Sequence, residues 1–443
     1  MIVEFKIENF RSIKDEMIFS MQAAPYLKKF KGSNTFLSKP INLLKSSLLF
    51  GPNGSGKTNL FNAMKFMKRY ITQNPEHTSN TLKELPYQPF KMDSECRMQP
   101  TKFSITLLIS DVVYNYEYHY NKKRIVYESL KELKTNDDVT YFSREYDEEK
   151  KDYEYEFFGN VPDFKEITRD NMLYLPLLAS KNNPAALQIL KWFSSNLILI
   201  GSEVDDISGY ESIVKRLENE NIKKSVLNFL RIADFNIVDI EVRTRVETMT
   251  EDMKKLLNFI KGMSKTGDEP EEDIEVSEEE VIKDLYTIYK GVNNEPVPIH
   301  VDSFESRGTK KMLLMATILV DALKNEGKTI LIDEFDNAFH LAVSTFLLKV
   351  INSEKVNLHS QFILNTHELS LLKNNILRVD QIWFAEKDKS NKTEFYSLYD
   401  FNDTHNRARN DVSYATDYMN GKYGAWPIVN EDAMNSILEE VRR

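Results

Sequence analysis

The stretch Phe50–Tyr70, FGPNGSGKTNLFNAMKFMKRY, joins an apolar segment to an amphipathic one through a glycine-rich loop. The loop Gly51–Thr58 fits the pattern G-x-x-x-x-G-K-[ST]. Glycines let successive backbone N–H groups turn inward and bind phosphate oxygens, beside the positive end of the following helix. The sequence therefore predicts a phosphate cradle. Its members would be Asn53, Gly54, Ser55 and Gly56.

Two side chains at the end of this loop carry its chemistry. Lys57 would reach the β- and γ-phosphates, and the hydroxyl of Thr58 would bind Mg²⁺. A strand over Ser46–Phe50 is predicted before the loop and a helix from about Thr58 to Arg69 after it, which is the context of a P-loop. We therefore expect ATP and Mg²⁺ rather than a glycine-rich turn without a ligand.

A second motif is the apolar strand Ile330–Glu334, which ends in two acids. Asp333 would hold Mg²⁺ through water, and Glu334 would orient and deprotonate the attacking water. Acids at the end of a strand are common, but together with a P-loop they predict a Walker B motif.

A third motif, Leu364–His367, also closes an apolar strand, about thirty residues after the acids. Ligands of open α/β sheets gather at the carboxyl ends of the strands. This position favours His367 as a sensor of the γ-phosphate over a purely structural histidine.

A fourth motif, FESRGTKK over Phe304–Lys311, precedes the helix that leads into Walker B. Ser306 and Gly308 are small residues at a helix N-terminus, where they predict an anion site. P-loop GTPases and kinases carry no such motif here, and the guanine-specifying pattern N-K-x-D occurs nowhere in the chain.

Composition excludes several classes of protein. The 443 residues allow two or three domain-sized units, and the formal net charge of −10 argues against a polycation that coats nucleic acid. A single cysteine, Cys96, rules out an intrachain disulfide and a Cys-rich zinc site. We expect no signal peptide at the charged N-terminus, and the longest apolar run, around Met312–Val320, is too short to cross a bilayer. We expect a cytoplasmic protein without a membrane partner.

The pattern of apolar residues predicts an α/β fold. The segment from Phe103 to Tyr127 is rich in β-branched and aromatic residues, with turn residues at Ser110-Asp111 and Asn121-Lys122, which indicates an antiparallel β meander; YEYEFF, residues 153–158, adds a strand to it. After Pro296, strands alternate with helices, which indicates a mainly parallel sheet.

The four motifs in this order resemble the ABC-type ATPases of the SMC, RecF and OLD group. In that group the Ser-x-Gly pair belongs to the signature motif, which completes the ATP site of the opposite subunit. The resemblance implies an ABC-type ATPase head and a head-to-tail homodimer or higher homo-oligomer. Ser306 and Gly308 of one chain would face Lys57 and Glu334 of the other, with Phe335–Ala338 as the D-loop at the seam.

Further segments, among them NFRSIKD, IDEFDNAFH, NTHELSLL and GKYGAWP, resemble the bacterial RloA-like or AbiL-like ATPases of phage-defence loci. The likeness covers essentially the whole chain. That family usually has His-Pro where this chain has His340-Leu341, and Thr-Thr-His-Asp where it has Asn365–Glu368. Neither departure removes a catalytic group. The glutamine of the Q-loop is not identifiable from the sequence.

These patterns predict that the chain is divided into three parts. Residues 1–208 form ATPase lobe I with Walker A and the meander. Residues 209–295 form a helical insertion, with helical periodicity to about Met263 and an acidic loop over 268–280. Residues 296–443 form lobe II with the signature, Walker B and the switch histidine.

Two functions are compatible with these motifs. The favoured one is a regulatory ATPase of a two-component antiviral system, of abortive-infection type, in which ATP holds a scaffold that restrains a toxic effector. The chain shows no convincing nuclease centre, so the effector would be a separate protein, a Toprim-type nuclease, with a phage-derived trigger. Recognition of partner or trigger is expected in the region between the ATPase motifs.

The alternative is a repair ATPase of the SMC and RecF kind that clamps duplex DNA. Its basic material would be the clusters Lys28–Lys31, Lys65–Arg69 and Lys122–Arg124. Such clusters are more often solvated faces than binding sites. Strong and steeply salt-dependent DNA binding would favour this alternative. A scaffold that binds ATP but scarcely hydrolyses it is a variant of either function.

Overall fold

The computed structural model describes residues 1–37, 40–72, 84–158, 161–201, 213–248, 279–324, 327–337, 339–373, 375–401 and 413–426. The strands are β1 (Ile2–Glu8), β2 (Met17–Ser20), β3 (Thr35–Phe36), β4 (Leu43–Leu44), β5 (Ser46–Phe50), β6 (Thr101–Ile109), β7 (Val112–Tyr120), β8 (Ile125–Leu133), β9 (Val139–Asp147), β10 (Asp152–Phe157), β11 (Leu197–Ile200), β12 (Asp239–Thr248), β13 (Glu279–Lys290), β14 (Pro296–His300), β15 (Thr329–Ile332), β16 (Gln361–Asn365), β17 (Ile382–Lys387) and β18 (Thr393–Ser397). The α-helices are α1 (Lys57–Thr72), α2 (Tyr174–Ser180), α3 (Pro184–Lys191), α4 (Glu220–Ile232), α5 (Val301–Phe304), α6 (Arg307–Lys324), α7 (Leu341–Ile351) and α8 (Tyr414–Met419).

A six-stranded sheet in the order β11-β15-β16-β5-β17-β18 carries the glycine-rich loop. The first five strands are parallel, and β18 is antiparallel to β17. Every residue of β5, β15 and β16 is buried, as expected of a parallel sheet covered on both faces. Parallel pairing brings the carboxyl ends of these three strands, and the motifs that follow them, to one edge.

Helices cover both faces of this sheet. Along β5, Leu49 belongs to one buried cluster and Leu48 to another, because successive side chains of a strand point to opposite faces. The first cluster contains α1, and the second contains α6 and α7. Among the described residues, no helix is both long and apolar enough to span a membrane.

The second large sheet is antiparallel, with seven strands in the order β10-β9-β8-β7-β6-β1-β2. Helix α1 packs against it through aromatic contacts: the ring of Phe66 stacks on Tyr120 at 5.3 Å and lies 5.8 Å from Phe103. The predicted α/β class, with a mainly parallel P-loop sheet and an antiparallel meander, is confirmed. The P-loop helix thus connects the two sheets.

The prediction of helix throughout the region from Gly209 to Met263 is wrong in part. Helix α4 lies there, but β12 pairs with β13, and β13 with β14, in a three-stranded antiparallel sheet. The reason lies in DIEVRTRVET, where Ile240, Val242 and Val246 keep a period of two despite frequent charges. The acidic run, up to residue 278, lies outside the described residues. The division into three parts remains a prediction.

A buried ion pair holds α2 against the antiparallel sheet. Glu128 of β8 and Arg144 of β9 lie 2.7 Å apart, and both side chains are inaccessible to solvent. Glu128 also accepts hydrogen bonds from the Tyr116 hydroxyl (2.9 Å) and from the backbone N–H groups of Tyr174 and Leu175. Because all these groups are desolvated, removing one partner leaves a buried charge uncompensated.

We expect Arg144→Leu to lower the free energy of unfolding by about 3–5 kcal/mol, since it strands the carboxylate of Glu128. Urea denaturation followed by circular dichroism measures this loss. The matched control is Arg243→Leu, which breaks a half-exposed pair with Glu241 and should cost at most about 1 kcal/mol. Equal losses in the two variants would contradict the role given to the buried pair.

Candidate nucleotide-binding site

The loop after β5 has a backbone that requires glycine. Gly51, Gly54 and Gly56 have φ values of +152°, +75° and +99°. A Cβ at Gly56 would lie 2.3 Å from the hydroxyl oxygen of Thr393, and one at Gly51 would lie 2.4 Å from the carbonyl oxygen of Ala385. The loop therefore combines a conformation and a close approach that only glycine allows. Asn53 and Gly54 are exposed at its tip.

Side chains from distant parts of the chain hold the loop from behind. The Thr393 hydroxyl donates to the carbonyl of Ser55 (2.8 Å) and lies 2.7 Å from the hydroxyl of Ser12. Asn59 donates to the same Ser12 hydroxyl at 2.6 Å. Ser55 Oγ is buried and has no partner among the described residues, so it is a polar group at the loop that a ligand could satisfy.

The side chain of Lys57 folds back onto its own loop. It is 5% exposed, and Nζ donates to the carbonyls of Gly51 (2.7 Å) and Pro52 (3.0 Å). Burial lowers the pKa of Lys57 to about 8, against the opposing effect of nearby carboxylates, of which Asp333 acts most strongly. The lysine therefore lies in a desolvated position close to the acids after β15.

Asn365, the last residue of β16, organises those acids. Its amide nitrogen donates to Asp333 Oδ1, and its side-chain oxygen accepts from the backbone N–H of Glu334. Its own carbonyl accepts from the backbone N–H of Phe335 at 2.9 Å. One buried amide thus fixes both acids relative to the neighbouring strand.

Thr58 and Asp333 are brought together at this edge. Burial raises the pKa of Asp333 above its usual value, and hydrogen bonds from Asn365 and Thr58 offset only part of this shift. A hydroxyl and a carboxylate oxygen side by side are hard oxygen donors of the kind that Mg²⁺ prefers. The donor set therefore fits Mg²⁺.

Glu334 adopts a left-handed backbone, with φ of +51°. Its Oε2 accepts a hydrogen bond from Asn337 at 3.0 Å, and its backbone carbonyl accepts one from Lys311. Few non-glycine residues adopt this conformation, and those at functional sites are held by their surroundings.

His367 lies at the same edge of the sheet. Its backbone N–H donates to Asp336 Oδ1 at 3.3 Å, and the preceding Thr366 donates to the carbonyl of Leu49 in β5. Partial burial and then the charge of Lys57 lower the pKa of the imidazole. Both effects favour the neutral form of His367 near pH 7.

The serine and glycine of the fourth motif lie apart from this group. Ser306 is exposed and caps α6, since its Oγ accepts from the Thr309 N–H at 3.1 Å, and Gly308 lies in the first helical turn. Among the described residues, the hydrogen bonds of Ser306 stay within the start of α6. Within one chain, Ser306 thus makes no hydrogen bond to Lys57 or Glu334, all of which the structure describes.

The fold and the site define a P-loop nucleotide-binding protein. The family model described as "AAA domain, putative AbiEii toxin, Type IV TA system" matches residues 46–373. This match covers more than half of the chain, so the chain belongs to that AAA-domain family. No curated protein sequence matches the chain significantly.

Solved structures that resemble the chain include SMC head domains. The head bound to the C-winged helix domain of ScpA has 12% identity and a TM-score of 0.41, and the match covers 89% of this chain and 97% of that one. The head from Thermotoga maritima has 11% identity and a TM-score of 0.38, with 89% and 98% coverage. A head with an extended coiled coil, bound to the C-terminal domain of ScpA derived from Pyrococcus furiosus, has 12% identity and a TM-score of 0.40, with 100% and 99% coverage. At these TM-scores the likeness carries no conclusion about the site.

Asn365→Ala tests the organisation of the acids. We expect kcat for ATP hydrolysis to fall about 10–100-fold, because partners that orient metal-binding carboxylates typically contribute this much, while the Kd for ATP changes little. Steady-state turnover and equilibrium binding measure the two effects. The control is Asn357→Ala. Asn357 is also buried, but its side-chain amide donates to the backbone carbonyls of Ile351 and Ser360. This variant should lower stability and leave kcat unchanged; equal kcat losses in both variants would contradict this role for Asn365.

Proposed function

We propose that the chain binds and hydrolyses ATP at the carboxyl edge of its parallel sheet. The observation that supports this proposal is the bridge from Asn365 to Asp333 and Glu334, which fixes both acids at the sheet edge where the loop of Lys57 and Thr58 also begins. Membership of an AAA-domain family supports the same conclusion.

Each group at this edge has a chemical part in the proposal. The N–H groups of residues 53–58 and the ammonium of Lys57 bind the phosphate oxygens, for which Lys57 leaves the carbonyls of its own loop. Thr58 and Asp333 would hold Mg²⁺, which would neutralise charge on the phosphates. Glu334 orients the attacking water and accepts its proton, and neutral His367 contacts the γ-phosphate.

The proposal further includes a second copy of the chain. Ser306 and Gly308 are accessible at the N-terminal end of α6, where backbone N–H groups favour an anion. In the ABC-type ATPases that the chain resembles, this pair completes the ATP site of the opposite subunit. ATP would then hold two chains together and act as a switch.

The biological role that we propose is that of a cytoplasmic regulatory or scaffold subunit in an anti-phage system, of the RloA-like or AbiL-like kind. The description of its family names a putative AbiEii toxin of a type IV toxin–antitoxin system, which supports a role in a system of that kind. The chemistry at the sheet edge is that of a nucleotide site. We therefore assign toxicity to a separately encoded effector, a Toprim-type nuclease, and release to a phage-derived trigger.

Several residues of the basic clusters are already paired within the chain, which weakens the case for a DNA clamp. Lys122 pairs with Glu84 at 2.8 Å, Lys68 donates to the carbonyl of Leu197, and the guanidinium of Arg124 lies 3.6 Å from the centroid of the Tyr146 ring. These side chains already have partners within the chain, which weighs against a role for them in binding DNA.

A pull-down from the native host tests the proposed role. Tagged Glu334→Gln protein, with ATP and Mg²⁺, should bind ATP without hydrolysing it and should retain a stoichiometric partner protein of nuclease-like sequence. Lys57→Ala removes the ammonium that binds the phosphates, so it should lose both ATP and the partner.

Two results of this experiment would contradict the proposals, and each would contradict a different one. Recovery of DNA without a partner protein would replace the defence role with the DNA clamp. Unchanged ATP affinity in Lys57→Ala would overturn the nucleotide site itself.

A further inference from the structure

Lys311 is a buried lysine outside the groups assigned above. It lies on α6, is 2% exposed, and its Nζ donates to the backbone carbonyl of Glu334 at 2.5 Å. Lysine is almost never fully buried unless its ammonium is paired. Here the partner is the main chain of the residue proposed to activate water.

The backbone of Glu334 is held on both sides. Its N–H donates to the side-chain oxygen of Asn365, and its carbonyl accepts from Lys311. With φ of +51°, Glu334 lies in a region that costs energy for a residue with a side chain. Such a conformation persists when neighbouring groups over-determine it, as these two hydrogen bonds do.

Two simpler roles for Lys311 fit the contacts less well. Its Nζ lies 5.5 Å from the centroid of the Phe339 ring, a contact that an apolar side chain could also fill. Burial lowers the pKa of Lys311, and the nearby carboxylates, of which Asp336 acts most strongly, oppose this shift, so the ammonium could also serve to offset their charge. However, its hydrogen bond goes to a backbone carbonyl and not to a carboxylate.

Lys311 lies close to the N-terminal end of α6. It follows Ser306 by five residues, which is roughly 7 Å along a helix axis. Ser306 caps this helix and Gly308 lies in its first turn. A displacement at the start of α6 would therefore move the ammonium that holds Glu334.

We propose that Lys311 is a positioning residue for Glu334, and that it ties the Ser306–Gly308 segment to the catalytic base of the same chain. Docking of a second copy at Ser306 is thereby sensed at Glu334. This inference rests on the proposed function, because it requires Glu334 to act as the base.

The test compares Lys311→Met and Lys311→Arg with the wild type. Loss of the ammonium should lower kcat for ATP hydrolysis at least tenfold while KM and the Kd for ATP stay within threefold, because the phosphate-binding groups remain in place. Arginine keeps a donor at this position and should recover most of kcat. The matched control is Lys324→Met at the far end of α6, whose Nζ donates to the carbonyl of Asn221 and which should match the wild type.

Thermal unfolding of each variant separates positioning from stability. If Lys311→Met does not fold, Lys311→Gln takes its place, because this shorter polar side chain does not reach the carbonyl and should show the same fall in kcat. If the wild type hydrolyses ATP and kcat is unchanged in Lys311→Met or Lys311→Gln, the inference about Lys311 is overturned. The proposed function would still stand in that case. A fall in ATP affinity parallel to kcat would also overturn the inference about Lys311. Absence of hydrolysis by the wild type would overturn the proposed function as well.

Discussion

The side chain of Asn365 links two neighbouring strands at the point where the chemistry converges. It donates to Asp333 and accepts from the backbone of Glu334, so the end of β16 sets the position of the acids after β15. This bridge depends on parallel pairing in register, with Leu364 opposite Ile332. A slip of one residue would turn the asparagine to the opposite face and separate it from both acids.

The sheet that supports this bridge is assembled from distant parts of the chain. Strand β5 carries the loop, β15 and β16 carry the acids and the histidine, and β18 provides Thr393, which clamps the loop from behind. Ser12 and Thr393 are 381 residues apart in sequence and 2.7 Å apart in space. The nucleotide site therefore exists only when both ends of the chain have folded together, which links nucleotide binding to the integrity of the whole sheet.

Local patterns predicted the parts of this site that depend on local chemistry. The glycines of residues 51–56 and the acids after an apolar strand have the same meaning in any fold of this class, so the cradle and the sheet could be predicted. Thr393, Ser12 and Lys311 could not, because each acts through a contact made by tertiary folding. Asn365 was visible only as part of a motif around His367. Strand β12 was mistaken for helix because its many charged residues concealed an alternation of period two. The roles assigned to Ser306, Gly308 and His367 remain predictions.

We propose that ATP at this sheet edge is shared between two copies of the chain, so ATP should change the molecular mass of Glu334→Gln in solution. With ATP and Mg²⁺, sedimentation should show a change from the 51.7 kDa monomer to about twice that mass. Adding Ser306→Arg should leave ATP bound but abolish the change, because the larger side chain blocks the contact with the opposite site. A mass that stays at the monomer value with ATP bound, or a doubling that Ser306→Arg does not affect, would contradict the account.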